Sequence, residues 1–309
     1  MTNIAVRESN AIAELKQEYY NAFIAYLDTK PKTIETYTKA LRQFAYYLQS
    51  NGITQPQRED IIAFRDDLKQ GHKPATIQTY IIAIRLFFGY LAMQGLYPNI
   101  AEHIKGAKIS REHKKDNLTS EQARALLESI DKTTLSGKRD FALISIMITG
   151  GLRDIEIQRA NIEDLRTIGN STVLYIQGKG RDEKADYIKI TSPVLKAVRE
   201  YLKARGCKDD KEPLFASISR NNNGGRLSVR AISGIVKSRL VAAGYDSNRL
   251  TAHSLRHTAA TLNLLNGGTL EETQELLRHS NINTTMIYLH HIQRENNHSE
   301  ERITGALFG

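Results

Sequence analysis

The sequence predicts a mainly α-helical protein of two domains, with a small antiparallel β-sheet in the second domain. Three observations lead to this prediction. Two amphipathic helices repeat without a gap near the N-terminus, a polar and mostly basic stretch follows them, and one β-hairpin interrupts a largely helical remainder. At 309 residues the chain is long for one ordinary domain and sufficient for two. We therefore expect a helical domain at 1–105, a basic linker at 106–117 and a second domain at 118–309.

The first domain is organised around an internal repeat. Residues 30–52, KPKTIETYTKALRQFAYYLQSNG, and residues 73–95, KPATIQTYIIAIRLFFGYLAMQG, align at an offset of 43 residues. Apolar residues recur every three or four positions and each segment ends in glycine, which is typical of amphipathic helices with a C-terminal glycine cap. Helices near 58–69 and 11–28 complete a four-helix unit. The matched Lys-Pro-x-Thr starts fit either paired phosphate-binding helix N-termini or duplicated core packing.

The second domain is predicted to be helical around one hairpin. Thr119 followed by Gln122 fits a capping box at the start of a helix. Residues 172–190 hold two β-rich runs that flank a glycine- and charge-rich turn, which indicates a β-hairpin. Further helices are expected at about 193–205, 228–243, 253–266 and 270–277.

The composition favours a protein that folds in the cytoplasm. Hydrophobic residues make up 40% of the chain and charged residues 25%, which is typical of a globular protein. The longest apolar run, residues 141–148, is too short to cross a bilayer, and the N-terminus lacks a signal-peptide pattern. The single cysteine, Cys207, excludes an internal disulfide framework and suits a reducing compartment.

The charge favours a polyanionic partner. The net charge is +9; residues 1–117 carry 16 Lys and Arg against 12 Asp and Glu, and the remainder carries 27 against 22. The basic excess is therefore spread over both domains, which fits a nucleic acid. Many soluble proteins are also mildly basic, so charge alone leaves this alternative open.

The segment TAHSLRHTAATLNLL (251–265) holds the first candidate site residues. On a helix, His253 and Arg256 are three residues apart and share a face. His253 and His257 have the spacing of a zinc pair, but a zincin-type helix needs glutamate directly after the first histidine, where this chain has Ser254. No cysteine or carboxylate lies nearby in the sequence as a third ligand, so a metal site is disfavoured.

Other cationic and nucleophilic residues extend this pattern along the chain. Arg153 follows a glycine pair and precedes Glu156 by three residues, Lys179 lies at the tip of the predicted hairpin, and His279 precedes Tyr288 by nine residues. The sequence shows no carboxylate cluster that would hold Mg²⁺. Arginines bind phosphate oxygens bidentately, a phenol attacks phosphorus once a base removes its proton, and a lysine can protonate the leaving oxygen. The set therefore suits metal-free phosphoryl transfer.

The chain resembles the tyrosine recombinases of the phage-integrase family, of the simple two-domain type, over nearly its whole length. The family signature is Arg, a hairpin Lys, His-x-x-Arg, His or Trp, and the nucleophilic Tyr. Order and spacing agree here in Arg153, Lys179, His253, Arg256, His279 and Tyr288. The N-terminal helices likewise resemble the family's core-binding domain, and residues 118–309 its catalytic domain.

The resemblance implies a role for each of these side chains. Arg153, Arg256 and His279 would hold the scissile phosphate, Lys179 would be the general acid, His253 would assist proton transfer, and Glu156 would orient active-site groups. Three features remain open. Lys184 lies in the same turn as Lys179; Arg278 stands where the family usually has glycine, so it would add a phosphate contact or restrict the backbone; His290 and His291 are not needed by the pattern.

The implied function is site-specific recombination through a covalent 3′-phosphotyrosyl intermediate, without a cofactor or metal. A non-catalytic DNA-binding relative and a type IB topoisomerase are the alternatives. The partner would be double-stranded DNA, with four protomers on two sites, and with accessory DNA-bending or directionality proteins left open. Helix phase suggests these DNA contacts: Thr36, Lys39, Lys73, Thr79 and Arg85.

The two ends of the chain bear on the type of recombinase that we expect. About ten residues precede the helical unit, which leaves no room for the arm-binding domain of larger integrases. Ile303, Leu307 and Phe308 form an apolar C-terminal segment. It would either pack on its own domain or, as the resemblance implies and as we favour, dock on the neighbouring protomer. We therefore expect a simple recombinase at the nucleoid, used for integration, inversion or dimer resolution, among which the sequence does not choose.

Overall fold

A computed structural model describes residues 15–108, 116–178, 181–295 and 297–309, without the side chains of His291 and Glu295. Contacts divide the chain into two compact units between Glu112 and His113. Most of the predicted linker, residues 109–115, lies outside the described residues, as does Lys179.

The first unit is helical throughout its described part. Pro31 and Pro74 each occupy the first turn of a long helix, where the missing N–H costs nothing and the fixed φ is already helical. The predicted repeat helices at 30–52 and 73–95 therefore start almost where the Lys-Pro pairs indicated. The helices are α1 (Gln17–Tyr26), α2 (Pro31–Ser50), α3 (Arg58–Asp67, extended by a 3₁₀ turn at Leu68–Gln70) and α4 (Pro74–Met93).

The two repeat helices end in the same way. Gly52 and Gly95 have φ of +66° and +67°, a left-handed conformation that glycine adopts without strain. Ile53 N–H donates to the Leu48 carbonyl at 2.9 Å, and the equivalent bond after α4 has the same length. The two repeats are therefore equivalent in their backbone hydrogen bonds as well as in their sequence.

Helix α4 is the central helix of the first unit. It packs against α1 and α2, and Phe87 and Phe88 are fully buried in an aromatic core. By length and composition alone, this helix is long and apolar enough to cross a membrane. Many of its apolar residues belong to the core of this unit, where Ile77, Ile84 and Leu91 are also buried.

The second unit combines helices with one small sheet, so the predicted mainly helical fold is confirmed. Its strands, β1 (Leu165–Ile168), β2 (Ser171–Ile176) and β3 (Asp186–Ile190), pair antiparallel in the order β1-β2-β3, with Leu174 opposite Ile188. Strand β1 was not predicted. The elements are α5 (Ser120–Glu128), α6 (Leu135–Thr149), α7 (Asp154–Arg159), β1 (Leu165–Ile168), β2 (Ser171–Ile176), β3 (Asp186–Ile190), α8 (Ser192–Arg205), α9 (Val229–Ala242), α10 (Ala252–Leu265), α11 (Leu270–Leu277), α12 (Asn283–Glu295) and α13 (Ser299–Phe308), with 3₁₀ turns at Ile162–Asp164 and Arg220–Asn222.

Two helices of this unit position the site. Helix α6 is buried along most of its length and packs against α8 and α10. Helix α10 also contacts α9, α11 and α12. Side chains on α10 therefore meet those in the turns after α6 and after α11, and those at the start of α12. The predicted capping box of α5 is present: Thr119 and Gln122 exchange both of its hydrogen bonds.

Candidate active site

Arg256 is anchored inside the second unit by backbone carbonyls. Its side chain is almost completely buried on α10, and its two terminal nitrogens donate to the carbonyls of Gly151 and Leu277. Burial, together with the like charges of Arg153 and Arg278, lowers the pKa of this guanidinium to about 9, so it is a cation at neutral pH. A guanidinium has five N–H donors, so these two bonds leave donors for an anion.

A glycine pair brings the end of α6 close to this arginine. Gly151 has φ of +55°, and a Cβ added there would lie 2.8 Å from a methyl group of Leu277. A Cβ on Gly150 would lie 2.4 Å from Ile188. A side chain at Gly151 would therefore collide with α11 and one at Gly150 with β3, so the pair permits the close packing in which Arg256 reaches the Gly151 carbonyl.

Arg153 is held by Glu156 at the start of α7. The Glu156 carboxylate accepts the Arg153 backbone N–H at 2.8 Å and its guanidinium at 2.9 Å. Glu156 is fully buried. Burial raises the pKa of its carboxyl, but the Arg278 guanidinium, the Arg153 N–H and the other arginines outweigh burial and lower it. The buried carboxylate is therefore ionised and fixes the direction of Arg153.

His279 is a neutral imidazole in a cationic environment. Burial, with Arg256, Arg153, Arg278 and His253 adding positive charge, lowers its pKa from 6.5 to about 4. Its Nδ1 lies 2.9 Å from the hydroxyl of the fully buried Thr285. A hydroxyl that donates to Nδ1 selects the tautomer with the proton on Nε2, which can then donate to a phosphate oxygen.

Tyr288 lies on α12 with its ring buried. The ring packs with Ala260 and Leu277, and its centroid is 5.2 Å from that of His257. Burial raises the pKa of the phenol above 10, although the charges of Arg256 and Arg153 oppose the rise. The phenol is therefore protonated at neutral pH, and an attack by its oxygen requires removal of this proton.

The predicted hairpin lies beside the same site, although its tip residues Lys179 and Gly180 are outside the described residues. Arg159 donates to the Gly178 carbonyl at 3.1 Å and so ties the hairpin to α7. Lys184, the other lysine of the turn, contacts the buried carboxylate of Asp164 at 2.5 Å. Lys184 is thus engaged in a structural ion pair.

These groups surround one cavity of about 590 Å³. It brings together five of the six signature residues, and Glu156 also lies in its wall. His290 is exposed and does not line it. The lining is Arg153, Glu156, Gly178, Arg181, Asp186, His253, Arg256, His257, Arg278, His279, Ser280, Thr284, Ile287 and Tyr288.

Sequence reasoning missed the partners of these residues. Thr285 was not singled out, although it contacts His279, and a Thr-Thr pair between the histidine and the tyrosine was a visible signal. His257 was considered as a zinc ligand, but its ring packs between His253 and Tyr288. Among the described residues, no group of three or more His, Cys, Asp or Glu is placed to hold a metal ion.

The predicted DNA contacts lie on the surface of the first unit. Thr36 and Thr79 occupy equivalent places, and each hydroxyl bonds to a carbonyl one turn earlier. Lys39 and Lys73 are exposed. Arg85 lines a separate groove with Ile82, Leu86, Asn99, Ala101 and Glu102. All five assignments stay predictions.

The fold and the residues around this cavity define the class of enzyme to which the chain belongs. Residues 116–295 match the phage integrase family, and residues 17–95 match the phage integrase N-terminal SAM-like domain. The chain belongs to the phage integrase family and is a tyrosine recombinase.

Known relatives agree with this assignment. Tyrosine recombinase XerC of Pelobacter propionicus is 32% identical over 88% of this chain and 90% of its own length. XerC of Caldanaerobacter subterraneus is 35% identical over 62% of this chain, and this match spans about half (52%) of that relative. The structure of XerH recombinase bound to a palindromic difH substrate has 25% identity and a TM-score of 0.70, covering 88% of this chain and 78% of that one. A lambda integrase dimer on a core site, at 16% identity, shares the fold with a TM-score of 0.71 over 90% of this chain and 77% of that one.

The lowered pKa of His279 predicts a pH-dependent loss of stability. The unfolded chain takes up a proton near pH 6.5, whereas the folded imidazole stays neutral down to about pH 4. The contribution of His279 to the free energy of unfolding is therefore fully present above pH 6.5. It falls as the pH is lowered towards 4, by up to about 2 to 3 kcal/mol. Urea unfolding of the wild type and of His279→Gln should show a smaller loss for the variant across this window. Equal losses would contradict the prediction.

Proposed function

We propose that this cavity is the site of DNA cleavage, with Tyr288 as the nucleophile. The observation that carries the proposal is a buried tyrosine in one cavity with Arg153, Arg256 and His279. In the first step the phenol oxygen forms a bond to phosphorus and passes its proton to a base, a transfer that His253 assists. The bond from phosphorus to the 5′ oxygen breaks, and this oxygen takes a proton from Lys179. The product is a 3′-phosphotyrosyl ester and a 5′-hydroxyl strand end.

Each neighbour of the phosphate has a part in this step. Arg153 and Arg256 neutralise the charge that grows on the non-bridging oxygens, and neutral His279 donates a further hydrogen bond. His253 assists proton transfer, and Glu156 orients Arg153. Because the phosphotyrosyl ester conserves the energy of the broken bond, a second strand's 5′-hydroxyl can reverse the step without ATP.

Lys179 is the proposed general acid, and the engagement of Lys184 with Asp164 supports this choice. We expect Lys179→Ala to slow cleavage by about 10² to 10⁴. A substrate with sulfur in place of the 5′ bridging oxygen should restore the rate, because a thiolate leaves without a proton. Rates of cleavage of the oxygen and sulfur substrates provide the measurement.

Lys184→Ala is the matched control for this prediction. It removes the partner of the buried Asp164 carboxylate and should therefore reduce stability. Any loss of cleavage in this variant should be the same for both substrates. If sulfur rescues Lys184→Ala and not Lys179→Ala, the roles of the two lysines are reversed.

The proposed assembly is a tetramer on two DNA sites. The first unit would bind one face of the duplex through α2 and α4, with Thr36, Lys39, Lys73, Thr79 and Arg85 near phosphates. Helix α13 supports an assembly because its apolar residues Ile303, Leu307 and Phe308 are between 59% and 84% exposed. We propose that α13 docks on a neighbouring protomer. Accessory DNA-bending or directionality proteins and action at the nucleoid belong to the same proposal.

Covalent trapping tests the proposed function. Wild-type protein is incubated in EDTA with nicked duplexes from the DNA that flanks its gene, and denaturing gels are examined for protein–DNA adducts that survive detergent. Exchange of strands between two labelled sites is measured in parallel. An adduct with exchange supports the proposal, and an adduct with relaxation but no exchange would indicate a topoisomerase. Specific binding without an adduct would indicate a non-catalytic DNA-binding protein.

A further inference from the structure

Arg278 occupies a backbone position that normally favours glycine. It follows α11 with φ of +51°, in the left-handed region that is unfavourable for an L-residue with a Cβ. Among the described residues, His103 and Arg278 are the non-glycine residues with a positive φ. An arginine in this conformation needs compensation from its side chain.

The Arg278 guanidinium points into the protein. One terminal nitrogen donates to the carbonyls of Gly150 at 3.2 Å and Leu276 at 2.6 Å. The other donates to the Gly151 carbonyl at 3.0 Å and to the Glu156 carboxylate at 2.9 Å. The side chain is only 9% exposed. Arg278 lies in the wall of the cavity, but both of its terminal nitrogens already donate to acceptors within the protein. Of the two roles expected from the sequence, a phosphate contact is therefore disfavoured.

Two of these four bonds, those to Gly151 and Glu156, go to groups that also hold the two arginines proposed to bind phosphate. The Gly151 carbonyl also accepts a hydrogen bond from Arg256, and the Glu156 carboxylate also holds Arg153. Arg278 therefore contacts the acceptor that anchors one guanidinium and the carboxylate that orients the other. We propose that Arg278 is a positioning residue that holds Arg153 and Arg256 in register for phosphate binding. This inference rests on the proposed function.

The pairing with Glu156 makes the two residues depend on each other. Glu156 is fully buried between two guanidiniums, and both of its oxygens are bonded to arginine. Loss of Arg278 removes one of the two restraints on the carboxylate. Loss of the carboxylate charge leaves Arg278 buried beside Arg153 and Arg256 without its counter-ion, which is a larger penalty.

The first test replaces Arg278 by glycine, which removes the side chain and also the backbone strain. We expect Arg278→Gly to form the covalent adduct on a nicked duplex about tenfold or more slowly, because Arg153 and Arg256 lose a shared restraint. Affinity for DNA should change by no more than about twofold, because the guanidinium faces inward. An adduct rate equal to or above that of the wild type would overturn the inference.

Three further variants separate positioning from stability. Arg278→Lys keeps a cation beside Glu156 and should recover part of the lost rate; a lysine no better than glycine would count against the ion pair. His103→Gly removes the other positive-φ side chain, which is exposed on the first unit, and should leave adduct formation unchanged. Glu156→Gln combined with Arg278→Gly should be less impaired than the product of the two single effects, by about tenfold. Effects that simply multiply would contradict the coupling.

Two outcomes of these assays must be kept apart. If the wild type forms no adduct on any substrate, the proposed function fails and Arg278 has no reaction to support. If the wild type forms the adduct and Arg278→Gly matches it, the recombinase assignment stands and the positioning role is wrong. Thermal unfolding of each variant reports any loss of folded protein separately from the rate.

Discussion

Tyr288→Phe will abolish the covalent protein–DNA adduct and leave DNA binding intact. The substitution removes one oxygen atom from a ring that packs with Ala260, Leu277 and His257, so the shape of the apolar cluster is kept. Without the nucleophilic oxygen, cleavage should fall by about 10⁴ or more. Denaturing gels of nicked duplexes incubated in EDTA measure the adduct, and gel shifts measure binding.

Tyr201→Phe is the matched control. Tyr201 is also a buried tyrosine of the second unit, and its hydroxyl accepts the backbone N–H of Ala216, away from the cavity. This variant should lose some stability and still form the adduct. An adduct that persists in Tyr288→Phe would mean that another residue is the nucleophile.

Much of the fold was predictable because its helices carry a regular apolar pattern. The repeat gave α2 and α4 within about two residues at each end, and the glycines marked their ends. Helix α6 was missed as a helix because it is buried on most of its surface, so its apolar residues follow no one-sided period. Strand β1 was missed because three of its four residues are exposed and short polar strands carry little signal.

The sequence predicted which residues form the candidate site, but not which other residues they contact. Arg153, His253, Arg256, His279 and Tyr288 fit a known order of residue types, and the structure brings them to one cavity. The contact of His257 with Tyr288 depends on how α10 packs against α12, and that of Thr285 with His279 depends on the turn between α11 and α12. Sequence spacing does not encode that packing.

Arg278 illustrates the same limit more sharply. The sequence identified it as a departure from glycine, but the direction of its side chain depends on the turn after α6 and the start of α7, which are distant from it along the chain. The guanidinium meets carbonyls of the turn after α6 and a carboxylate of α7 more than 120 residues earlier. A linear pattern predicts that the position is unusual, and only the folded chain indicates what the arginine contacts.

Arg256→Lys is expected to have the second largest effect on cleavage. A lysine ammonium is a single point charge, so it cannot bond to the Gly151 and Leu277 carbonyls and also clamp two phosphate oxygens. We expect cleavage to fall by about 10² to 10³, as for the loss of one donor to a transition-state oxyanion. Single-turnover adduct formation measures this loss.

Because Arg256 is buried, Arg256→Lys should also reduce the stability of the protein. Arg139→Lys is the matched control for this effect. Arg139 is a second buried arginine of the same unit; it pairs with Asp140, donates to the Ala216 carbonyl and does not line the cavity. Both variants should be destabilised by about 1 to 3 kcal/mol, because each leaves a buried acceptor without its partner. Only Arg256→Lys should also lose cleavage when folded protein is compared. A similar loss of cleavage in Arg139→Lys would mean that general destabilisation, and not phosphate binding by Arg256, explains the effect.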